Sequence, residues 1–173
     1  VPASANKEQT FFYTRESIYN EMTVTTVAEL KEVASRPYVE TVILGNDITD
    51  ITETITLPNK ITFMGSGYKL GFKDVEKVNG SASGLVIAGD NTVVNDLTIE
   101  MDGKAEWQGN YGLQVYNAKN VVLNNYTGTK ADAALLVNAS NVTLQGTTNV
   151  TGNEFGGIEV SKGKAEGLEN STL

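Results

Sequence analysis

Charged side chains gather in three short segments of this sequence, each just ahead of a run of aliphatic residues. The candidate ligand-binding residues among them are Asp102, Lys130, Asp132 and Glu154. Carboxylate oxygens bind hard cations such as Ca²⁺, which takes several oxygen ligands. An Asp-x-Asp-Gly calcium loop is missing from the sequence, since Asp102-Gly103 stands alone. We therefore favour solvated turns without a metal or other cofactor, and a calcium-assisted carbohydrate site is the alternative.

Aromatic residues supply a second set of candidates. Trp107 and Tyr111 lie in the same segment as Asp102, and further aromatic residues follow at Tyr116, Tyr126 and Phe155. Exposed aromatic rings stack on sugar rings through apolar contact, so Trp107 and Tyr111 are candidates for carbohydrate binding. The alternative is that Trp107 folds back over the core, because large aromatic side chains are usually mostly buried. In that case the binding surface is expected around Gln114 and Glu159.

A repeated phrase separates these polar segments. Its copies begin at Gly84, Gly112, Ala134 and Gly157, and their first aliphatic residues are 28, 22 and 23 positions apart. Repeats of roughly 20 to 30 residues are typical of solenoids, in which one unit cannot bury its apolar face alone. The sequence therefore predicts a stack of similar units.

Each unit is predicted to contain two short strands, a tight corner between them, and a variable Gly-rich loop that returns the chain. The segment Leu113-Gln114-Val115 alternates with the period of a half-buried strand. Asn91, Asn120 and Asn141 occupy the same corner of successive units. Asparagine tolerates left-handed backbone angles, and stacked asparagines form hydrogen-bonded ladders. We expect this corner to contain such a ladder.

The alternation also predicts which side chains face the core. The inward set is Leu85, Ile87, Leu113, Val115, Leu135, Val137, Ile158 and Val160. The outward set is Val86, Gln114, Leu136 and Glu159. Because no helical segments separate the units, we predict that their strands stack in parallel.

The chain divides into three predicted parts: a polar lead-in at residues 1–23, a capping helix at 24–38 and a β-solenoid at 39–173. Thr26 and Glu29 have the spacing of a helix capping box, and Pro37 ends the helix. We expect the helix to cover the first unit, because an open sheet end invites pairing with other chains. The last residues, 170–173, are predicted to enter another strand, so further domains of a longer protein are expected.

Two segments near the start carry a family resemblance. The strand Thr41-Val42-Ile43-Leu44 leads into Gly45-Asn46-Asp47-Ile48, and Pro58-Asn59-Lys60-Ile61-Thr62 leads into the Gly65-Ser66-Gly67 corner. From about Val39 onward the sequence resembles the pectate-lyase-like superfamily, and its opening is similar to domains of Gram-positive surface adhesins. The resemblance implies an all-β, right-handed parallel β-helix with a short N-terminal helix. The resemblance does not identify a ligand. Our prediction for the function is adhesion to carbohydrate or host extracellular matrix.

The catalytic residues that this resemblance would imply do not map onto the sequence. Lyases of the superfamily use an Arg or Lys beside calcium-binding carboxylates, and the hydrolases use clustered Asp residues, generally with a His. This chain has no His, and its only arginines, Arg15 and Arg36, precede the predicted solenoid. We therefore expect a non-catalytic domain. The alternative is a polysaccharide lyase or hydrolase with an atypical site.

Composition favours a location outside the cell. The net charge of −8 repels nucleic acid. No run approaches the roughly 18 apolar residues of a membrane helix, so membrane insertion is not expected. Ala3-Ser4-Ala5 is a small-x-small triplet of the kind that signal peptidase cleaves, although it also suits a polar chain end. We predict a secreted or cell-surface protein.

Overall fold

The computed structural model describes residues 20–103, 108–162 and 169–173. Strand β1 (Glu21–Val24) and helix α1 (Val27–Ala34) precede five coils of three strands each. The first two coils are β2 (Thr41–Leu44), β3 (Ile48–Ile51), β4 (Ile55–Leu57) and β5 (Thr62–Met64), β6 (Lys69–Phe72), β7 (Ala82–Ile87). The third and fourth are β8 (Val93–Asn95), β9 (Thr98–Glu100), β10 (Asn110–Tyr116) and β11 (Val121–Asn124), β12 (Thr127–Thr129), β13 (Ala133–Asn138). The fifth is β14 (Val142–Gln145), β15 (Asn149–Thr151) and β16 (Gly156–Ser161).

Equivalent strands of successive coils pair in parallel. The first strands of the coils, with β1 at the edge, form sheet 1, the second strands form sheet 2, and the third strands form sheet 3. The fold is a right-handed parallel β-helix around one apolar core, as predicted. Within the described ranges, no helix reaches the length and apolarity that crossing a lipid bilayer requires.

The number of strands per coil differs from the prediction. Two strands were predicted in each unit, whereas each coil has three; in the third coil, for example, β8 and β9 are separated at Asp96, whose φ is 50°. The variable loop predicted in each unit therefore contains a strand of sheet 2. These strands have only three or four residues each, as in Thr127-Gly128-Thr129, so they are too short for an alternation to mark them.

The predicted register of sheet 3 is confirmed. Leu113 pairs with Leu85 on one side and with Leu135 on the other, and Leu135 pairs with Ile158. The inward set is buried except in the last coil, where Ile158 is half-buried and Val160 is 45% exposed. Those two residues lie on β16, the edge strand of the sheet. Leu136, in the outward register, is only 6% exposed.

Steric crowding explains why each repeated phrase begins with a small residue. Pairing along sheet 3 skips Gly112. A Cβ atom there would lie 2.5 Å from the carbonyl oxygen of Ala134, and one at Gly84 would lie 2.8 Å from the ring of Phe72. A larger side chain would overpack both positions.

The predicted asparagine corner is confirmed in two coils. Asn91 and Asn120 have φ angles of 59° and 56°, and Asn120 Nδ2 donates to Asn91 Oδ1 at 3.3 Å. The prediction of a left-handed backbone at Asn141 was wrong. The residue of that turn with a left-handed backbone is Ala139, whose φ is 48°. Asn141 Nδ2 instead donates to Thr172 Oγ1 at 2.9 Å, and these two residues form a parallel bridge.

A second ladder, which the sequence analysis missed, follows sheet 1 at its other end. Asn124 Nδ2 donates to Asn95 Oδ1 at 3.2 Å, and Asn125 Nδ2 donates to Asp96 Oδ1 at 2.9 Å. The ladder continues where the backbone N–H of Thr147 donates to Asn125 Oδ1 at 3.0 Å. Sheet 1 is therefore bordered by side-chain hydrogen bonds at both ends of its strands.

The N-terminal end is covered by a strand as well as by the helix. Thr26 is the N-cap of α1 and forms the predicted capping box with Glu29. β1 lies at the junction of the ranges predicted as lead-in and helix, and it pairs with β2. α1 packs against β1 and β4. The edge of β2 is thus protected by backbone pairing, and the helix protects the neighbouring side of the coil.

Candidate functional site

The turns that join sheet 2 to sheet 3 stack along one edge of the solenoid. Those of the third, fourth and fifth coils hold Asp102, Lys130 with Asp132, and Glu154. Backbone hydrogen bonds connect successive turns, from Gly103 N to the Lys130 carbonyl at 2.7 Å and from Glu154 N to the Ala131 carbonyl at 3.0 Å. The structure therefore brings these predicted residues to one edge. Trp107, another predicted residue, lies outside the described residues.

Asp102 and Lys130 interact with neighbouring coils. Asp102 Oδ2 accepts a hydrogen bond from the backbone N–H of Asp74 at 2.9 Å. Lys130 Nζ lies 3.4 Å from Glu100 Oε2, and Lys69 Nζ lies 3.4 Å from Glu100 Oε1. This row of charges crosses three coils, and because its members are partly exposed each pair contributes little to stability.

Asp132 is buried, with 3% of its surface exposed. Its Oδ2 accepts from the backbone N–H of Asn110 at 2.6 Å and from that of Gln108 at 3.0 Å. Its own carbonyl accepts from the N–H groups of Phe155 and Gly156, both at 2.9 Å. These bonds make Asp132 the anchor between the turns on either side of it.

Tyr111 lies at the start of β10, and its side chain belongs to a shallow groove of about 640 Å³. The residues that line this aromatic groove are Tyr111, Phe155, Glu159, Val160 and Ser161. Phe155 is 65% exposed. The Tyr111 hydroxyl donates a hydrogen bond to the Glu159 carboxylate, although the strand β13 lies between them in the sheet. Burial, and then the Glu159 charge, raises the pKa of Tyr111 to about 12.

A polar row runs along the same outer face. Ser83 Oγ donates to Gln114 Oε1 at 2.8 Å, and Gln114 Nε2 donates to Asn138 Oδ1 at 2.8 Å. Asn138 Nδ2 then donates to Ser161 Oγ at 2.6 Å. The row crosses four strands and meets the aromatic groove at Ser161.

No protein-family model, curated protein or solved structure matches this chain. The parallel β-helix rests on the three sheets themselves, and the resemblance to the pectate-lyase-like superfamily stays a prediction.

The site contains residues that the sequence analysis did not select. Gln114 and Glu159 were expected only as an alternative surface, and Asn138 and Ser161 were not considered. Their position in the repeat could have indicated them. Asn138 directly follows Val137 and Ser161 directly follows Val160, and these residues pair with one another in register. Among the described residues, no group of three or more Asp, Glu, His or Cys side chains lies close enough together to hold a metal ion.

Proposed function

We propose that this chain is a non-catalytic binding domain of a secreted or cell-surface protein, and that it binds carbohydrate on the outer face of sheet 3. The observation that supports this proposal is the aromatic groove beside the polar row. Adhesion to a host matrix would then occur through the glycans that such a matrix displays.

The chemistry of this surface suits a sugar chain. The rings of Tyr111 and Phe155 offer apolar contact to the C–H face of a pyranose. The half-buried side chains of Gln114 and Ser161 supply donors and acceptors for hydroxyl groups, and Asn138, which is only 7% exposed, holds both of them in place. Because the side chains of the row already bond to one another, they are held in place before a ligand arrives, which lowers the entropic cost of binding.

The neighbouring charged residues have structural roles that favour binding over catalysis. General acid–base catalysis requires a side chain within hydrogen-bond reach of the reacting proton. Asp132 instead directs its carboxylate at backbone N–H groups, and Lys130 forms an ion pair with Glu100. These contacts support a positioning role for both residues.

The test is a glycan array with the intact protein, followed by calorimetry on the ligands that bind. Phe155→Ala is expected to weaken binding roughly tenfold or more, as removal of an aromatic anchor does, with an unchanged melting temperature. Tyr68→Ala is the control, because Tyr68 is also an exposed aromatic residue and lies in the turn between β5 and β6.

Two outcomes would contradict the proposal. One is the absence of binding to any glycan on the array, and the other is equal weakening by the Phe155 and Tyr68 substitutions. New reducing ends or unsaturated products in the same mixtures would support the enzymatic alternative.

A further inference from the structure

The outer face of sheet 3 has an unbalanced charge. Its outward positions include Thr56, Ser83, Val86, Tyr111, Gln114, Leu136, Asn138, Glu159 and Ser161. Among these, Glu159 carries the only charge, and it is negative. Glu154 is exposed in the turn before β16, and Glu76 lines a second cleft of about 300 Å³ on the same face beside Gln114. The surface therefore presents negative charge along its length.

The Glu159 carboxylate is available to a ligand. In the part of the chain that the structure describes, no lysine or arginine nitrogen lies within ion-pair distance of it, whereas Glu100, Glu53 and Glu32 each have such a partner. Tyr111 donates one hydrogen bond to it, and a carboxylate has about four acceptor positions. Glu159 also lines the groove directly, beside the exposed ring of Phe155.

We infer that the aromatic groove prefers a glycan with free amino groups, such as a chain of unacetylated hexosamines. This inference rests on the proposed function. The ammonium group of the sugar pairs with Glu159, and the rings of Tyr111 and Phe155 contact the sugar face. Gln114 and Ser161, the half-buried members of the polar row, meet its hydroxyl groups. An ammonium group beside an aromatic ring gains further attraction from the ring.

The same charges disfavour acidic glycans. A uronate or sulfate placed near Glu159 would meet a like charge, and the whole chain carries a net charge of −8. Gln114 on β10 and Ser161 on β16, the half-buried members of the polar row, lie two strands apart, about 10 Å at the usual strand spacing. That length suits a short oligosaccharide.

The experiment compares three oligosaccharides of equal length by calorimetry at low salt. They are β-1,4-linked glucosamine, its fully N-acetylated counterpart and an oligogalacturonate, at a pH that keeps the amine protonated. The glucosamine chain is expected to bind roughly fivefold more tightly than the acetylated chain, as one exposed ion pair allows. The difference should shrink at high salt, because salt screens exposed charges, and the oligogalacturonate should bind most weakly.

Glu159→Gln tests the assigned carboxylate, and it is expected to abolish the preference for the amine. Glu40→Gln is the matched control: Glu40 is exposed just before β2 of sheet 1, and its substitution changes the net charge equally. Equal affinity for the amine and acetylated chains, tighter binding of the oligogalacturonate, or a preference that survives Glu159→Gln would overturn this inference and leave carbohydrate binding standing. Binding of none of the three, together with an empty glycan array, would overturn the proposed function as well.

Discussion

Tyr126 is the largest polar side chain in the fully buried core. It follows the corner residue Asn125, and its hydroxyl donates to the Ala134 carbonyl at 2.6 Å. Ala134 belongs to the column of small residues where the pairing of sheet 3 is interrupted. Tyr126 thus satisfies a carbonyl group inside the coil while its ring fills the interior.

Tyr126→Phe is expected to lower the free energy of unfolding by about 1–2 kcal/mol, because a buried carbonyl loses its partner. The measurement is urea denaturation at neutral pH. A variant as stable as the wild type would show that the carbonyl finds another donor.

The same variant tests a pH dependence. Burial raises the pKa of Tyr126 above its ordinary value, which is about 10. Below pH 10 the side chain is neutral in both states. As the pH rises further, the unfolded tyrosine ionises while the folded one keeps its proton, so stability falls. The stability of Tyr126→Phe should therefore decline less between about pH 10 and 12 than that of the wild type.

At the scale of the elements, a residue of the fourth coil holds the chain where it enters β10. Asp132 accepts hydrogen bonds from the backbone N–H groups of Gln108, just before β10, and of Asn110, the first residue of β10. Asp132→Ala should lower stability by about 2 kcal/mol, since hydrogen bonds to a buried charge are lost. It should also speed hydrogen exchange at Gln108 and Asn110. Asp132→Asn keeps one acceptor oxygen and should have an intermediate effect, whereas unchanged exchange in both variants would contradict the anchoring role.

The elements also show what a sequence can reveal about such a fold. Sheets 1 and 3 were predictable because segments such as Leu113-Gln114-Val115 repeat an alternation that the core imposes. Sheet 2 was missed because its strands have only three or four residues, too few to display an alternation. β1 was missed because it pairs with β2, which follows in the sequence only after α1. The aromatic groove depends on Tyr111 reaching over β13 to Glu159, and such a long-range approach leaves no local pattern.

At the scale of the whole molecule, burial is uneven along the solenoid axis. The inward aliphatic residues of β7, β10 and β13 are almost fully buried, whereas Val160 on β16 is 45% exposed. Solenoid stability is a sum over units and their interfaces, and local opening follows low burial. Hydrogen exchange should therefore be fastest in β15 and β16 and slowest in β7 and β10. Uniform protection in all five coils would show instead that the solenoid opens as one unit.

The parallel pairing of successive coils also determines how the molecule bears tension. The backbone hydrogen bonds between coils lie along the solenoid axis, since each strand pairs with the equivalent strand one turn away. A pull between the first and last coils therefore peels strands apart in sequence instead of shearing many bonds together. The pairing of Leu113 with Leu135 marks a coil of 22 residues, which would extend by about 75 Å when released. Under load, the domain would lengthen by one coil at a time.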